Sequence, residues 1–167
     1  TAAHGQPWSG PGCPGGCAGR GLARDAADAA WRVMLGDGME TWADLALGSQ
    51  SGMPSRTGDL AIRDRRGNWT YTFCVVADDM RHGIDLVVRG EDLLESTPAQ
   101  IRLGGLLGRA VPPQFLHHPL VRRPDCRKLS KADGASGVRD MIRAGYTAGD
   151  LLERASAAIA LPPGYAH

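Results

Sequence analysis

Two lysines three positions apart are the clearest chemical signal in the sequence. The segment Lys128 to Lys131, with Ser130 between them, lies in a polar stretch that follows a strand-like run. Flexible ammonium groups at this spacing can neutralise the charge that develops on a triphosphate as pyrophosphate leaves. Such a tetrapeptide also arises by chance in exposed basic loops, so the spacing alone leaves both interpretations open.

Cys13 and Cys17 form a C-x3-C pattern in a Gly/Pro-rich stretch that covers residues 1–20. A metal can order such a loop, and thiolates are good zinc ligands. Two ligands do not close a tetrahedral site, and His4 is the one other candidate nearby. The sequence therefore predicts an incomplete zinc site. Cys74 lies in an apolar run and is interpreted as a small buried hydrophobic residue.

Two further pairs carry titratable groups. Asp78 and Asp79 could act as a general acid and base, but a structural role is favoured. His117 and His118 follow a strand-like run, which favours packing or hydrogen bonding over metal ligation.

Composition limits the class of protein. With 167 residues, of which 43% are hydrophobic, the chain can form one domain or a substantial part of one. The total of 19 basic and 18 acidic residues gives no nucleic-acid signal. Basic residues are in local excess from Arg122 to Arg143, which indicates either a phosphate-facing surface or a mixed-charge solvated face. No apolar stretch reaches the roughly 18 residues of a membrane span, so we expect a cytoplasmic protein.

The residue pattern predicts an α/β fold. In the first half it favours an irregular start, a short helix, a strand, and then two strands joined by a turn at Arg65–Asn68. These are residues 1–20, 22–31, 31–35, 58–64 and 69–79.

The second half predicts a strand, a helical turn, a longer helix, another strand, a polar loop and two final helices. These are residues 84–89, 91–108 for the helical turn and the longer helix together, 114–121, 122–134 and 138–161. Ser96 or Thr97 is expected to cap the longer helix, with Pro98 in its first turn. Gly145 separates the final helices, and Thr147 caps the second of them.

The run from Gly58 to Gly134 resembles the second half of the catalytic domain of glutamate-type class I aminoacyl-tRNA synthetases. It is most similar to the short glutamyl-Q tRNA(Asp) branch of that family. The shared elements occur in order: a hairpin strand that bears a tyrosine, an Asp-Asp pair, a V-V-R-G-x-D-L-L turn, an S/T-P-x-Q helix, an H-x-P-L strand and the KLSK form of the second ATP signature. The resemblance implies the second half of a Rossmann-like catalytic domain with a β-hairpin insertion and C-terminal helices.

The resemblance implies roles for two residues in binding glutamate. Tyr71 matches the tyrosine that contacts the amino acid; its alternative is a half-buried strand aromatic with a solvated hydroxyl. Arg89 matches the arginine that pairs with a substrate carboxylate, a task suited to the planar guanidinium. Its alternative is a structural ion pair with Glu91 or Asp92.

The resemblance also implies an ATP site and a metal site. Lys131 matches the ATP-binding lysine, and Lys128 and Ser130 complete that catalytic loop. Cys13 and Cys17 match the last two positions of a zinc site, with Cys13 where the family has a tyrosine. ATP with Mg²⁺ is then the expected nucleotide, and Zn²⁺ is expected in the full-length protein.

The implied function is ATP-dependent activation of L-glutamate and its transfer to the queuosine base in the anticodon region of tRNA(Asp). No H-x-G-H signature occurs in the chain, so we expect that half of the site to lie N-terminal to Thr1. The chain alone is then expected to be inactive, and the full-length protein to be a monomer. The expected parts are a zinc-loop remnant (1–20), the catalytic half (21–135) and a helical segment (136–167). A glutamyl-tRNA synthetase charging tRNA(Glu), or a non-catalytic remnant that binds tRNA or glutamate, are the alternatives.

Overall fold

The computed structural model describes Ala23, residues 29–120 and residues 137–159. Six strands and four α-helices are named here in chain order. They are β1 Trp31–Val33, β2 Glu40–Asp44, β3 Gly48–Gly52, β4 Leu60–Arg63, α1 Tyr71–Arg81, β5 Leu86–Gly90, α2 Thr97–Leu106, β6 Gln114–His118, α3 Val138–Arg143 and α4 Ala148–Ile159. Short 3₁₀ helices cover Pro54–Thr57 and Glu91–Ser96.

A mixed four-stranded sheet forms the centre of the described region, in the order β3-β2-β6-β5. Strands β5 and β6 are parallel, with Leu86 opposite Gln114 and Gly90 opposite His118. Strands β2 and β3 form an antiparallel hairpin, and β2 meets β6 in parallel where Asp44 lies opposite Phe115. A separate antiparallel pair joins β1 to β4. The carboxyl ends of β2, β5 and β6 therefore lie at one edge of the sheet, where ligands bind in parallel α/β sheets.

The α/β class and most elements of the second half are confirmed. Strands β5 and β6, the helical turn, α2 and the two final helices occur where the sequence predicts them. Gly145 adopts φ +96° between α3 and α4, and the Thr147 hydroxyl accepts a hydrogen bond from the Asp150 N–H (3.2 Å). The predicted side-chain cap of α2 is wrong, because the Ser96 hydroxyl makes no capping bond to that helix.

The prediction that residues 69–79 form a strand, and hence a hairpin with residues 58–64, is wrong. This segment is α1, and only the bridge between Arg63 and Trp69 remains of the pairing. The Thr70 hydroxyl caps the helix by accepting from the Phe73 N–H (3.4 Å). Trp69 and Phe73 stack with ring centroids 4.7 Å apart, a contact between positions i and i+4. The β-branched and aromatic composition favoured a strand, but the cap and the helical contacts prevail.

Cys74 lies in the middle of α1 and not in a strand. It is half-buried and is not in a disulfide. The sequence analysis also assigned no element to residues 39–57, where the structure has the β2–β3 hairpin.

Several predicted parts lie outside the described residues. They include the irregular start (1–20), most of the short helix (22–31) and the polar loop (122–134). Both proposed boundaries, after residues 20 and 135, fall there as well, so that division stays a prediction. Within the described ranges, no helix combines the length and hydropathy needed to cross a bilayer.

The β2–β3 hairpin packs closely on the first turn of α2, and this gives a stability prediction. A Cβ built on Gly52 would lie 2.6 Å from Pro98 Cγ, whereas one on Gly105 meets nothing within 4 Å. We expect Gly52→Ala to destabilise the protein by about 1–3 kcal/mol through overpacking. Gly105→Ala should stabilise it by up to about 1 kcal/mol, because alanine is the better helix former.

Urea unfolding followed by far-ultraviolet circular dichroism measures both changes. The two alanine variants serve as each other's control. Equal midpoints for Gly52→Ala and the unchanged protein would contradict the close packing between hairpin and helix.

Candidate substrate site

Arg89 lies near the carboxyl end of β5 and is buried, with 9% of its surface exposed. Its Nε donates to His117 Nε2 (3.0 Å). Its two terminal nitrogens donate to Gln100 Oε1 (2.5 Å) and Thr97 Oγ1 (2.7 Å). All three acceptors are uncharged groups. They fix the orientation of the guanidinium but do not neutralise its positive charge.

The negative charge in this hydrogen-bond network is that of Asp44, which is linked to Arg89 through His117. His117 Nδ1 and Asp44 Oδ2 are 2.5 Å apart, and both side chains are fully buried. Asp44 Oδ1 accepts from the backbone N–H groups of Ala46 and Leu47 (3.0 Å each) and of His117 (3.3 Å). The carboxylate and guanidinium thus lie on opposite sides of one imidazole ring.

The geometry fixes the tautomer of His117. A guanidinium Nε always carries its hydrogen, so His117 Nε2 must accept from Arg89. The ring proton then lies on Nδ1, where it is donated to Asp44 Oδ2. We define Asp44, His117 and Arg89 as the Asp44–Arg89 relay.

The pKa shifts agree with this charge pattern. Burial would raise the pKa of Asp44, but the hydrogen bonds from the His117 side chain and from backbone N–H groups outweigh it, so the pKa lies below its ordinary 3.8. Burial lowers the pKa of Arg89, and the negative charges of Asp79 and Asp44 partly offset the effect. At neutral pH the relay therefore holds one carboxylate and one guanidinium, because no such shift deprotonates arginine.

The guanidinium keeps binding capacity. Of its five N–H groups, the bonds to described residues use three, which leaves one on each terminal nitrogen. Two N–H groups on the same edge of a guanidinium can pair with both oxygens of a carboxylate. The Phe115 ring lies beneath Arg89, with its centroid 5.1 Å from the guanidinium carbon. The arrangement suits a bound carboxylate that water reaches poorly.

Tyr71 is the first residue of α1, and 64% of its surface is exposed. The predicted strand position is therefore wrong, and so is the alternative of a half-buried strand aromatic. Of the two acids considered as structural partners for Arg89, Glu91 accepts a hydrogen bond from the Leu120 N–H (3.5 Å).

A cavity of about 310 Å³ lies beside the relay, between the helices α1 and α2 and the sheet. Asp79, Gln100, Arg109 and Phe115 are among its lining residues. Burial raises the pKa of Asp79, while Arg109 and Arg89 act to lower it. Asp78 is exposed, so the two carboxyl groups do not form a matched acid and base in this cavity.

The predicted phosphate and metal residues lie outside the described part of the chain. These are Lys128, Ser130, Lys131, Cys13 and Cys17. Among the described residues, no group of three His, Cys, Asp or Glu side chains is placed to hold a metal.

Four residues orient Arg89, and the sequence assigned this task to none of them. Thr97 and Gln100 belong to the S/T-P-x-Q motif, and His117 belongs to H-x-P-L. The motifs identify these positions but do not indicate that they bind Arg89. The hydrogen-bonding interpretation of His117 is confirmed. Asp44 carried no signal, because its partner is 73 positions away.

Comparison with known proteins identifies the family of the chain. Residues 27–154 match the family described as tRNA synthetases class I (E and Q), catalytic domain. The chain is 45% identical over 127 residues to the glutamyl-Q tRNA(Asp) synthetase of Bordetella bronchiseptica, covering 75% of this chain and 39% of that protein. It is 41% identical over 110 residues to the glutamate–tRNA ligase of Bordetella avium, covering 66% of this chain and 23% of that protein.

A solved structure shares the fold. The glutamate tRNA ligase of Elizabethkingia meningosepticum, in complex with its amino acid, superposes with a TM-score of 0.50 at 29% identity. The match covers 66% of this chain and 20% of that one. The family match and the shared fold therefore place the chain among class I tRNA synthetase catalytic domains.

Within that class, the chain belongs to the family of glutamate- and glutamine-type (E and Q) tRNA synthetase catalytic domains. It spans 39% and 41% of the length of two glutamyl-Q tRNA(Asp) synthetases that it matches.

Proposed function

We propose that the protein activates L-glutamate with ATP and transfers the glutamyl group to the queuosine base of tRNA(Asp). In the first step a carboxylate oxygen of glutamate attacks the α-phosphorus of ATP, and pyrophosphate leaves. In the second step the nucleic acid attacks the acyl carbon of glutamyl-adenylate, and AMP leaves. Family membership supports the glutamate and ATP parts, and the similarity to glutamyl-Q tRNA(Asp) synthetases supports the acceptor.

The observation that carries the proposal is the state of Arg89. A buried guanidinium at the carboxyl end of β5 is held by three neutral acceptors and keeps two N–H groups for a ligand. This arrangement suits a carboxylate, and Tyr71 is assigned to the same ligand on the resemblance of its segment. Lys128, Ser130 and Lys131 are assigned to the triphosphate on the resemblance of their segment, where ammonium groups stabilise departing pyrophosphate.

Transfer to tRNA(Glu) is the second candidate, because relatives named glutamate–tRNA ligase also match at 41% identity. Both candidates require the same carboxylate receptor and the same adenylate. They differ only in the acceptor, so an acceptor assay separates them.

Mg²⁺ is proposed to enter with ATP, where it would bridge phosphate oxygens. Zinc binding by Cys13 and Cys17, a cytoplasmic location and a monomeric state remain predictions, and no step of the reaction is assigned to zinc.

The test uses the full-length gene product. We expect glutamate-dependent exchange of labelled pyrophosphate into ATP, with aspartate and glutamine as inactive controls. Labelled glutamate should then appear on tRNA(Asp) that carries queuosine and not on the same tRNA with guanosine at that position. Labelling of tRNA(Glu) instead would favour the second candidate. Absence of glutamate-dependent exchange would overturn the proposal and favour a non-catalytic binding protein.

A further inference from the structure

We propose that Asp44 and His117 are positioning residues for glutamate, which act by holding the Arg89 guanidinium in a single orientation. This inference rests on the proposed function and extends it to residues that do not touch the substrate. The relay works through one tautomer of His117: Asp44 selects it, and Arg89 requires it.

The contact between His117 and Arg89 requires one tautomer of the imidazole. Their nitrogens are 3.0 Å apart, and Arg89 Nε brings a hydrogen that it does not lose. An imidazole with its proton on Nε2 would set two donors against each other in a buried site. Since a buried donor without an acceptor is costly, the guanidinium would then turn away from this geometry.

Asp44 selects this tautomer through the hydrogen bonds of its two carboxylate oxygens. Three backbone N–H groups point at Oδ1, which reserves that oxygen as an acceptor. Oδ2 is thereby turned to His117 Nδ1, where only a protonated nitrogen makes a favourable contact. The turn after β2 thus orients the carboxylate, the carboxylate orients the imidazole, and the imidazole orients Arg89.

Thr97 and Gln100 provide the other two hydrogen bonds to Arg89. They bind the terminal nitrogens of Arg89 from the amino-terminal half of α2, while His117 binds Nε from β6. Together they fix the plane of the guanidinium from two different elements. Without the His117 contact, the guanidinium keeps two hydrogen bonds, and both are to residues of α2. It can then rotate about these bonds, which changes the direction of its remaining N–H groups.

Two substitutions at position 117 separate the two functions of the histidine. In His117→Gln, the side-chain oxygen reaches the place of Nε2 and can accept from Arg89, but the contact to Asp44 is lost. In His117→Asn, the amide nitrogen takes the place of Nδ1 and can donate to Asp44, but Arg89 loses its acceptor. The two variants are similar in polarity and differ in which end of the relay they keep.

The effects on substrate binding and on stability are expected to run in opposite order. Pyrophosphate exchange by the full-length protein should show glutamate KM within about threefold of the unchanged protein for His117→Gln. For His117→Asn it should be about tenfold or more higher, the scale of one lost charge-assisted hydrogen bond. The KM for ATP should stay unchanged in both. Urea unfolding should rank His117→Asn as the more stable variant, because it keeps the buried Asp44 paired.

Asp44→Asn tests the selection of the tautomer. Its amide oxygen is held at the three backbone N–H groups, so its NH₂ faces Nδ1 and favours the proton on Nε2. Nitrogen-15 NMR of the histidine-labelled full-length protein should show a protonated Nδ1 for His117 before the substitution and a protonated Nε2 after it. The His117→Gln spectrum identifies the signal. Glutamate KM should rise about tenfold or more in Asp44→Asn.

The outcomes distinguish this inference from the proposed function. Missing exchange by the unchanged protein would remove the proposed function, and the positioning role with it. Normal exchange with equal glutamate KM in the Gln and Asn variants would overturn the positioning role alone. A proton on Nε2 of His117 in the unchanged protein would also overturn it, whatever the activity.

Discussion

Arg89→Lys is expected to lower kcat/KM for glutamate in pyrophosphate exchange by about 100-fold or more. That loss corresponds to about 2.7 kcal/mol at 1.36 kcal/mol per factor of ten. The reason is geometric, because lysine keeps the charge that balances Asp44 but replaces a planar fork by a single ammonium. One ammonium cannot serve Thr97, Gln100 and His117 and also hold both oxygens of a carboxylate.

Arg66→Lys is the matched control. Arg66 lies exposed in the turn before α1, so the same change of side chain there should leave kcat/KM within about twofold. Unfolding curves establish that Arg89→Lys is folded under assay conditions. A folded Arg89→Lys protein with unchanged kcat/KM for glutamate would show that Arg89 serves the fold and not the substrate.

Lys131→Ala is expected to slow formation of glutamyl-adenylate by about 100-fold in a single turnover of the full-length protein. The scale follows from removing one preorganised group that stabilises developing negative charge. Rapid quenching of enzyme mixed with labelled ATP and saturating glutamate measures the step directly. Because glutamate is saturating, a change in amino-acid affinity does not affect the measured rate of adenylate formation.

The control for Lys131→Ala is Arg139→Ala. Arg139 is exposed on α3 and belongs to the same basic stretch, so its loss changes the net charge equally without touching the signature. A single-turnover rate for Lys131→Ala equal to that of the control would contradict the role assigned to Lys131.

The parallel strands could be predicted because their signal is local. Residues 84–89 and 114–118 are compact runs bounded by turn residues, and both form strands. The segment 69–79 also has strand-like composition, yet it forms α1. Its exposed positions, Tyr71, Asp78 and Arg81, are spaced as on one face of a helix. Periodicity and the Thr70 cap were therefore the more informative local signals.

The site shows a different limit. Family motifs pointed to Arg89 and Tyr71 directly, because these positions recur with fixed neighbours. Asp44 has no such neighbours, since its strand is polar and its bond to His117 spans 73 positions. Only pairing of β2 with β6 brings the two together, and no local pattern encodes that pairing.

The turn after β2 has a consequence for how amino-acid affinity can evolve. The backbone N–H groups of Ala46 and Leu47 hold Asp44, while their own side chains take no part in the relay. Under the proposed function, an insertion or a proline in this short segment would remove backbone N–H contacts to Asp44 and so alter the affinity for glutamate, with Asp44, His117 and Arg89 themselves unchanged. A directed-evolution library restricted to residues 45–47 would therefore be a small search space for enzymes with graded substrate affinity.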